Sequence, residues 1–255
     1  MKNLTLKNKI KNKELTIGSW ITIGHPAISE ILCKAGFDWL VIDIEHTTID
    51  LSMVQVLISS IQANNIAAIV RVSKNEEVVI KRVLDAGADG IIVPMINSSE
   101  DATRAVEYAK YPPEGKRGVG LSRAQQYGNG FDEYKKWAKE NLIIIAQIEH
   151  IDGINNLEEI VKTEGIDGTL IGPYDLSGSM GIPGQYNEPI VIDALNQYIK
   201  VCEKFNIAMG FHVIEPTNER LKEKIVEGYT FLAFSTDFLF MGKKATDEMQ
   251  RIVKI

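Results

Sequence analysis

Two carboxylates in this chain follow apolar runs that have the character of β-strands. Residues 144–149 (IIAQIE) end in Glu149, and Asp175 comes shortly after the next such run, residues 168–172. Strand residues two apart share a face, so Gln147 and Glu149 point the same way. A carboxylate beside buried strand residues is costly unless something pairs with it. Two of them after successive strands indicate a divalent cation held by oxygen ligands, which favours an enzyme over a binding module.

Glu149 and Asp175 are therefore the predicted metal ligands. With only two protein carboxylates, the remaining coordination positions fall to water and substrate, which is typical of Mg²⁺ or Mn²⁺. The alternative for Glu149 is a salt bridge to a barrel residue such as Arg71. The alternative for Asp175 is the N-cap of a turn that starts at Leu176.

Arg71 and His46 are the predicted catalytic side chains, with Asp43 beside them. Arg71 ends the run AAIVR, where a guanidinium can bind a carboxylate or a developing oxyanion. An internal ion pair with Asp43 or Glu45 is the alternative, and the two roles are compatible. His46 follows both carboxylates in sequence, and a neighbouring carboxylate makes an imidazole a better general base. A plain surface histidine is the competing interpretation.

Trp20 and His212 also lie at predicted strand ends. Trp20 either lines a pocket or packs inside the fold, and His212 is a secondary candidate for the site. No lysine ends a predicted strand, and no Gly-x-Ser-x-Gly or phosphate-binding glycine loop is found. A Schiff-base mechanism would need such a lysine, so a metal-dependent reaction is favoured.

The elements that must position these residues alternate between short apolar runs and longer amphipathic stretches. Parallel pairing with helical crossovers is expected from that alternation, and eight repeats in 255 residues predict one α/β domain, a (β/α)₈ TIM barrel over residues 1–255. The competitor is an open doubly wound sheet, but the first turn, residues 23–26 (IGHP), is no dinucleotide fingerprint. The strand candidates are Leu15–Thr22, Trp39–Asp43, Ala67–Val72, Gly90–Pro94, Leu142–Glu149, Gly168–Gly172, Ile207–His212 and Thr230–Ser235, and the helix candidates are Leu51–Ala63, Glu76–Ala86, Glu100–Lys110, Ile154–Thr163, Ile190–Lys204, Thr217–Glu227 and Asp237–Val253.

Composition limits the partners and the compartment. The net charge of −6 disfavours a nucleic-acid partner, and no run is long enough to span a membrane. Residues 1–13 are basic and polar without an apolar run behind them, so no secretory signal is expected. Only two cysteines occur, which fits a reducing, cytoplasmic location. The glycine- and proline-rich stretch Tyr111–Gly130 is predicted to be a loop over the site, with a mobile surface excursion as the alternative.

Several segments together resemble the HpcH/HpaI aldolase family, and the resemblance runs nearly end to end. It implies a TIM barrel like that of the phosphoenolpyruvate/pyruvate-binding enzymes, and a metal-dependent (class II) pyruvate aldolase, which is a carbon–carbon lyase. The segments that carry it are Gly36–Trp39, Asp43–His46, Ile92–Met95, Tyr111–Gly120, Gln147–Glu149 and Ile171–Ser177.

The resemblance also implies roles for individual residues. Glu149 and Asp175 would bind Mg²⁺, Mn²⁺ or Co²⁺, and pyruvate would chelate the metal. Arg71 would stabilise the enolate oxygen. His46, supported by Asp43, would transfer the proton of the aldol hydroxyl. The implied substrate-binding residues are Trp20, Gln147, the turn of Gly172, Pro173 and Tyr174, and His212.

Two departures from the family pattern concern the aldehyde half of the substrate. The loop after Gly120 is shorter than in aldolases of aromatic-acid breakdown, and His212 stands where those enzymes carry an aliphatic residue. A polar wall suits a hydroxylated aldehyde, so a 2-keto-3-deoxy sugar acid is the expected substrate. The alternatives are a lyase for an acyl-CoA or phosphoenolpyruvate-type substrate, hinted at by Arg117 and Arg123, and a non-catalytic sugar-acid sensor. A homo-oligomer is also implied, a hexamer being common among such enzymes.

Overall fold

Eight parallel strands close into a barrel in this computed structural model, which describes residues 4–253. Each strand pairs with its neighbours in sequence, and β8 returns to pair with β1. The predicted (β/α)₈ barrel is therefore confirmed, while residues 1–3 and 254–255, part of the predicted single domain, lie outside the described residues. The strands are β1 Thr16–Ile21, β2 Trp39–Asp43, β3 Ala67–Arg71, β4 Gly90–Val93, β5 Ile143–Ile148, β6 Gly168–Ile171, β7 Ala208–Val213 and β8 Phe231–Thr236.

Helices surround the barrel and connect its strands. The predicted helix over Ile154–Thr163 is wrong as one element, because the chain breaks at Asn156 into α7 and α8. No helix among residues 4–253 is long and apolar enough to cross a membrane. The helices are α1 Leu4–Lys11, α2 Pro26–Cys33, α3 Leu51–Ala63, α4 Glu77–Asp85, α5 Ser99–Ala109, α6 Phe131–Asn141, α7 Ile151–Asn155, α8 Leu157–Lys162, α9 Pro173–Ser179, α10 Pro189–Lys204, α11 Asn218–Val226 and α12 Asp237–Val253, with a 3₁₀ helix at Arg123–Gly128.

Alternate strand residues fill the inside of the barrel, as the two-residue period of a strand requires. The interior cluster includes Val41, Ile69 and Ile145, and the indole of Trp39 stacks on Phe231 with ring centroids 4.2 Å apart. Apolar packing therefore fills the interior below the carboxyl ends of the strands. Inward polar side chains are found above it, at those carboxyl ends, where barrels of this class place their active sites.

Helix α1, which was not predicted, covers the amino-terminal end of the barrel. Leu6 and Ile10 join the interior cluster. Between them, Lys7 donates a hydrogen bond to the Leu142 carbonyl, 2.5 Å away, and forms a 2.9 Å ion pair with Asp167, both side chains being nearly inaccessible to solvent. Burial lowers the pKa of Lys7, and the nearby Asp167 opposes that shift. This end of the barrel is therefore sealed by an ion pair as well as by apolar contacts.

The Asp167→Asn variant is expected to lose about 3 kcal/mol of unfolding free energy, because it leaves a buried ammonium without its counter-ion. The control is Lys9→Met, which breaks the 2.8 Å Lys9–Asp38 pair, whose side chains are 32% and 31% exposed. Exposed pairs contribute about 0–1 kcal/mol. Urea denaturation at pH 7 measures both variants. Equal, small losses would show that the seal does not depend on the buried pair.

The stretch Tyr111–Gly130 does not cover the carboxyl ends of the strands, so the prediction of a loop over the site is wrong. Arg117 is buried and donates to Asp85 over 2.6 Å, and Arg123 donates to the Ala86 carbonyl over 3.1 Å. Both acceptors lie at the end of α4, just before β4. The segment follows a helix and precedes a strand, and such connections in a (β/α)₈ barrel run along the amino-terminal face, opposite the active-site loops.

Candidate active site

The polar side chains predicted from strand ends do converge at the carboxyl end of the barrel. The β2–β3 register places Asp43 directly beside Arg71. Gln147 is the second-last residue of β5. Glu149 follows β5 in the chain, and Asp175 follows β6. Because all these strands are parallel in one closed barrel, residues that are far apart in sequence meet at the same end of it.

Arg71 is fixed by acidic partners and by an aromatic ring. Its Nε and Nη2 donate to the two carboxylate oxygens of Asp43 over 2.9 and 2.7 Å. A second ion pair joins Nε to Glu45 Oε2 at 3.3 Å, and the guanidinium lies 4.4 Å from the centroid of the Trp20 ring. Bidentate pairing of this kind fixes the plane of a guanidinium. Arg71 is therefore preorganised, and the predicted internal ion pair is present.

Asp43 does not support the His46 ring directly, which corrects the expected pairing. Asp43 Oδ1 accepts from the backbone N–H groups of Glu45 (3.0 Å) and His46 (3.4 Å), so it shapes the turn after β2. The carboxylate close to the imidazole is Glu45, 3.7 Å from His46 Nε2. His46 itself has a side chain that is 69% exposed, at the mouth of the site.

Glu45 is a site residue that was not predicted as one. Burial raises its pKa to about 7, Arg71 opposes that shift, and the negative charges of Glu149, Asp43 and Asp175 add to it. The signal in the sequence was its position two residues after Asp43, which continues the inward face of β2. Another unpredicted contact is the backbone N–H of Met95, a residue with a φ of 54°, which donates to Glu149 Oε1 over 2.8 Å.

Glu149 is buried and held by hydrogen bonds. Besides the Met95 contact, its Oε2 accepts from Gln147 Nε2, and burial raises its pKa although both bonds oppose that shift. The glycine at position 172 gives this side chain room, because an added Cβ would lie 3.0 Å from the Glu149 Cβ. No Glu149–Arg71 ion pair is found within residues 4–253, so that alternative for Glu149 is wrong.

Asp175 lies in the first turn of α9 rather than at its N-cap, which is Gly172. The N-cap alternative for Asp175 is therefore wrong. The Gly172 N–H donates to the Ile148 carbonyl over 2.9 Å, and Pro173 has no N–H. The backbone donors that this turn can offer to a ligand are thus those of Tyr174 and Asp175, while the Tyr174 ring, 57% exposed, stands at the rim.

The charges at this end of the barrel suit a cation. Asp175 raises the pKa of both Glu45 and Glu149, which indicates that three carboxylates share a small region. The buried Oε1 of Gln147 has no hydrogen-bond partner. Within the described chain no group of three or more His, Cys, Asp or Glu side chains is arranged to hold a metal ion. Oxygen donors of this kind match a hard divalent cation.

The four histidines have different environments. His25 and His150 are N-caps of α2 and α7, where their Nδ1 atoms accept backbone N–H groups, so they serve local structure. His46 lies at the mouth of the site. His212 faces inward on β7 against Trp20, with ring centroids 5.3 Å apart, and burial lowers its pKa to about 4.

Comparison with known proteins agrees with this geometry. Residues 16–241 match the family model described as HpcH/HpaI aldolase/citrate lyase. A curated relative from Klebsiella pneumoniae, named 5-keto-4-deoxy-D-glucarate aldolase, is 33% identical over 253 residues, which is 98% of each chain.

Solved structures show the same similarity. An HpcH/HpaI aldolase/citrate lyase family protein from Burkholderia cenocepacia superposes with a TM-score of 0.91 at 29% identity, covering 97% of this chain and 98% of that one. The citrate synthase SbnG superposes with a TM-score of 0.86 at 27% identity, covering 98% of both chains.

Proposed function

The chain belongs to the HpcH/HpaI aldolase/citrate lyase family, and from that premise we propose how its site works as an aldolase. The proposed reaction is the reversible cleavage of a 4-hydroxy-2-oxo acid to pyruvate and an aldehyde. The observation that carries it is the preorganised Arg71 guanidinium at the same end of the barrel as the carboxylates of Glu149 and Asp175, close enough for both Arg71 and Asp175 to act on the charge of Glu149. A 2-oxo acid offers a carboxylate and a keto oxygen. Positively charged groups stabilise the negative charge of the carboxylate and the charge that develops on the keto oxygen.

Metal binding is proposed for Glu149 and Asp175, with Mg²⁺, Mn²⁺ or Co²⁺ as the ion. The support is the crowding of negative charge and the buried, unpaired Oε1 of Gln147. A bound divalent cation would polarise the keto oxygen as a Lewis acid. Gln147 holds Glu149 in place by donating to its Oε2, and Met95 holds the other carboxylate oxygen.

Arg71 is proposed to stabilise the negative charge that develops on the keto oxygen when the carbon–carbon bond breaks. Charge-assisted donors fixed before the reaction need little rearrangement during it, which is the basis of this kind of stabilisation. Asp43 keeps the guanidinium in position by its two hydrogen bonds. His46 is proposed to take the proton from the aldol hydroxyl, with Glu45, 3.7 Å away, as its neighbouring carboxylate.

The substrate class is proposed from the relatives and from the site wall. Those relatives are named as aldolases for 5-keto-4-deoxy-D-glucarate, a hydroxylated 2-keto-3-deoxy sugar acid. In the present chain, Trp20, His212 and the Gly172–Tyr174 turn are proposed to bind this type of substrate. The acyl-CoA or phosphoenolpyruvate alternative relied on Arg117 and Arg123, which the structure places in contacts at the other end of the barrel.

The test of this function is pyruvate release from 5-keto-4-deoxy-D-glucarate, coupled to lactate dehydrogenase. Steady turnover is expected with this acid and none with the analogue that lacks the 4-hydroxyl group of the 4-hydroxy-2-oxo unit, because no aldehyde can then form. A wild-type protein that binds the sugar acid but releases no pyruvate would instead be a sensor. Tighter binding of coenzyme A than of pyruvate would favour the acyl-CoA alternative.

We further propose a homo-oligomer in the cytoplasm. The helix α12 exposes Phe238, Met241, Met249 and Ile252, which are 49, 48, 59 and 63% accessible. Apolar side chains along one terminal helix support packing against another copy. Cys33 and Cys202 are both free thiols, which accords with a reducing compartment.

A further inference from the structure

Several buried polar atoms at the carboxyl end of the barrel have no hydrogen-bond partner within the described chain, among them Gln147 Oε1 and Glu45 Oε2. Two others, Trp20 Nε1 and His212 Nε2, belong to rings that lie side by side. The two rings are neighbours, with centroids 5.3 Å apart and planes inclined at 42°. Buried polar groups in folded proteins are nearly always hydrogen-bonded, so a pair of unpartnered atoms in the candidate site requires an explanation.

The two atoms have opposite hydrogen-bonding character. The indole Nε1 of Trp20 is only a donor. The imidazole of His212 has a backbone hydrogen bond with Ser235 that favours its protonated form, so that bond runs from the ring to the Ser235 carbonyl. Since Nε2 is the atom without a partner, Nδ1 carries the hydrogen and Nε2 is an acceptor in the neutral ring.

The backbone around Ser235 is arranged to hold this tautomer. The pairing of β1 with β8 shifts here, because Gly18 is opposite Ala233 whereas Trp20 is opposite Thr236. The shift places one extra residue in β8 at this point, and Ser235, with a φ of 53°, has the irregular backbone conformation. Bulges of this kind redirect groups beside functional sites. The Ser235 carbonyl also accepts from the Ser19 hydroxyl over 3.3 Å, so it is fixed from both sides.

We propose that Trp20 and His212 together bind one hydroxyl group of the substrate, with Trp20 donating to its oxygen and His212 accepting its hydrogen. A hydroxyl is the simplest group that accepts and donates at once. This assignment rests on the proposed aldolase function and makes His212 a specificity-determining residue. It selects substrates that carry a hydroxyl beyond the one consumed in the aldol cleavage.

The proximity of Arg71 limits where that hydroxyl lies in the substrate. The guanidinium stacks 4.4 Å from the Trp20 ring centroid, on the same ring that approaches His212. The pair is therefore close to the group proposed to face the keto oxygen. The hydroxyl belongs either to the oxo-acid half, as in hydroxypyruvate, or to the aldehyde half, as in glycolaldehyde, and one experiment distinguishes the two sources.

The experiment compares aldol synthesis by the wild-type enzyme and by the His212→Leu variant in three reactions. These are pyruvate with acetaldehyde, pyruvate with glycolaldehyde, and hydroxypyruvate with acetaldehyde. Losing one hydrogen bond to a substrate hydroxyl is expected to lower kcat/KM by about 10- to 100-fold. Pyruvate with acetaldehyde is the reference for each enzyme, and kcat/KM relative to this reference should fall only in the reaction whose hydroxyl the pair binds.

Two further variants keep the result interpretable. His212→Gln retains a side-chain acceptor and should recover part of the lost preference. Trp20→Phe removes the donor, keeps an aromatic ring, and should lose the same preference as His212→Leu. An equal loss in all three reactions would overturn the proposal and show a packing role. No loss in any of them would overturn it too, and would show that an ordered water alone occupies the pair.

A wild-type enzyme inactive in every reaction would contradict the proposed function rather than this inference. Hydroxyl preference would then be measured by calorimetric titration of three intact acids, 4-hydroxy-2-oxopentanoate, 3,4-dihydroxy-2-oxopentanoate and 5-keto-4-deoxy-D-glucarate. Relative to the first acid, the inference expects His212→Leu to weaken binding of the second if the pair binds the oxo-acid half, or of the third if it binds the aldehyde half. Identical affinities of wild type and variant for all three acids would overturn it.

Discussion

Replacing Arg71 with alanine is expected to lower kcat for pyruvate release by about 100- to 1,000-fold, the usual cost of losing one preorganised donor to a developing oxyanion. The guanidinium is held by two hydrogen bonds to Asp43 and stacks on Trp20, so it is fixed in place before the reaction. Steady-state kinetics on 5-keto-4-deoxy-D-glucarate would measure the loss. The fall should appear mainly in kcat, because the charge on the keto oxygen grows as the bond breaks.

The variant also leaves the buried Asp43 without its cationic partner, so folding has to be measured in the same preparation. The double variant Arg71→Ala/Asp43→Asn removes that unpaired charge and should remain as inactive as the single variant. Arg71→Lys keeps the charge but not the bidentate geometry, and it should recover only part of the rate. Arg220→Ala, which removes an exposed pair with Glu223, is the control for losing an arginine elsewhere. Near-normal turnover in folded Arg71→Ala would mean that the site has been misplaced.

The sequence predicted the barrel well because the strands are mainly short apolar runs that alternate with longer amphipathic helices. The bounds of Trp39–Asp43, Leu51–Ala63 and Asp237–Val253 agree with the structure to the residue. Other strands differ by one residue at one end or at both ends, where the last paired residue depends on its neighbour in the sheet. The glycines at helix ends were informative as well, since Gly36 and Gly87 have φ values of 93° and 103°.

Two features of the fold were not predicted, for different physical reasons. Helix α1 is short and its composition is polar, so its inward residues Leu6 and Ile10 stand out only once the barrel end that they cover is known. The glycines and prolines of the segment Tyr111–Gly130 predict a loop, but they do not indicate at which end of the barrel that loop lies. A connection that runs from a helix to a strand belongs to the amino-terminal face.

Within the site, the strand ends predicted which side chains meet and offered the ion pair of Arg71 with Asp43, but they did not predict which carboxylate lies beside the His46 ring. Asp43 ends β2 only three residues before His46, so sequence proximity favoured that pair. The parallel register instead places Asp43 beside Arg71, 28 residues away in the chain. Glu45 was passed over because it lies between two stronger candidates, although it shares the inward face of Asp43. Cross-strand neighbours are set by register, which no local pattern encodes.

Removal of divalent cations with a chelator is expected to abolish pyruvate release, by at least about 1,000-fold, since Lewis-acid polarisation of a keto oxygen supplies several kcal/mol. Adding Mg²⁺, Mn²⁺ or Co²⁺ in excess of the chelator should restore the rate. The Glu149→Gln variant should lose activity to a similar extent and should no longer bind Mn²⁺ in a calorimetric titration. The neutral amide keeps the size of the side chain but removes the charge that a hard cation requires.

The surroundings of Glu149 explain why even the isosteric change to glutamine should abolish activity and Mn²⁺ binding. Glu149 is 5% exposed, and its two oxygens accept hydrogen bonds from Met95 and Gln147. The lone pairs that remain free on these oxygens are therefore held in fixed directions and are shielded from solvent. Glu158→Gln is the matched control, because that carboxylate is exposed and pairs with Lys204 across the surface, and its activity and Mn²⁺ affinity should match wild type. Full activity in excess chelator would remove the metal from the mechanism and leave Arg71 as the main source of charge stabilisation. Loss of activity in Glu149→Gln with unchanged Mn²⁺ affinity would instead place the metal on other ligands.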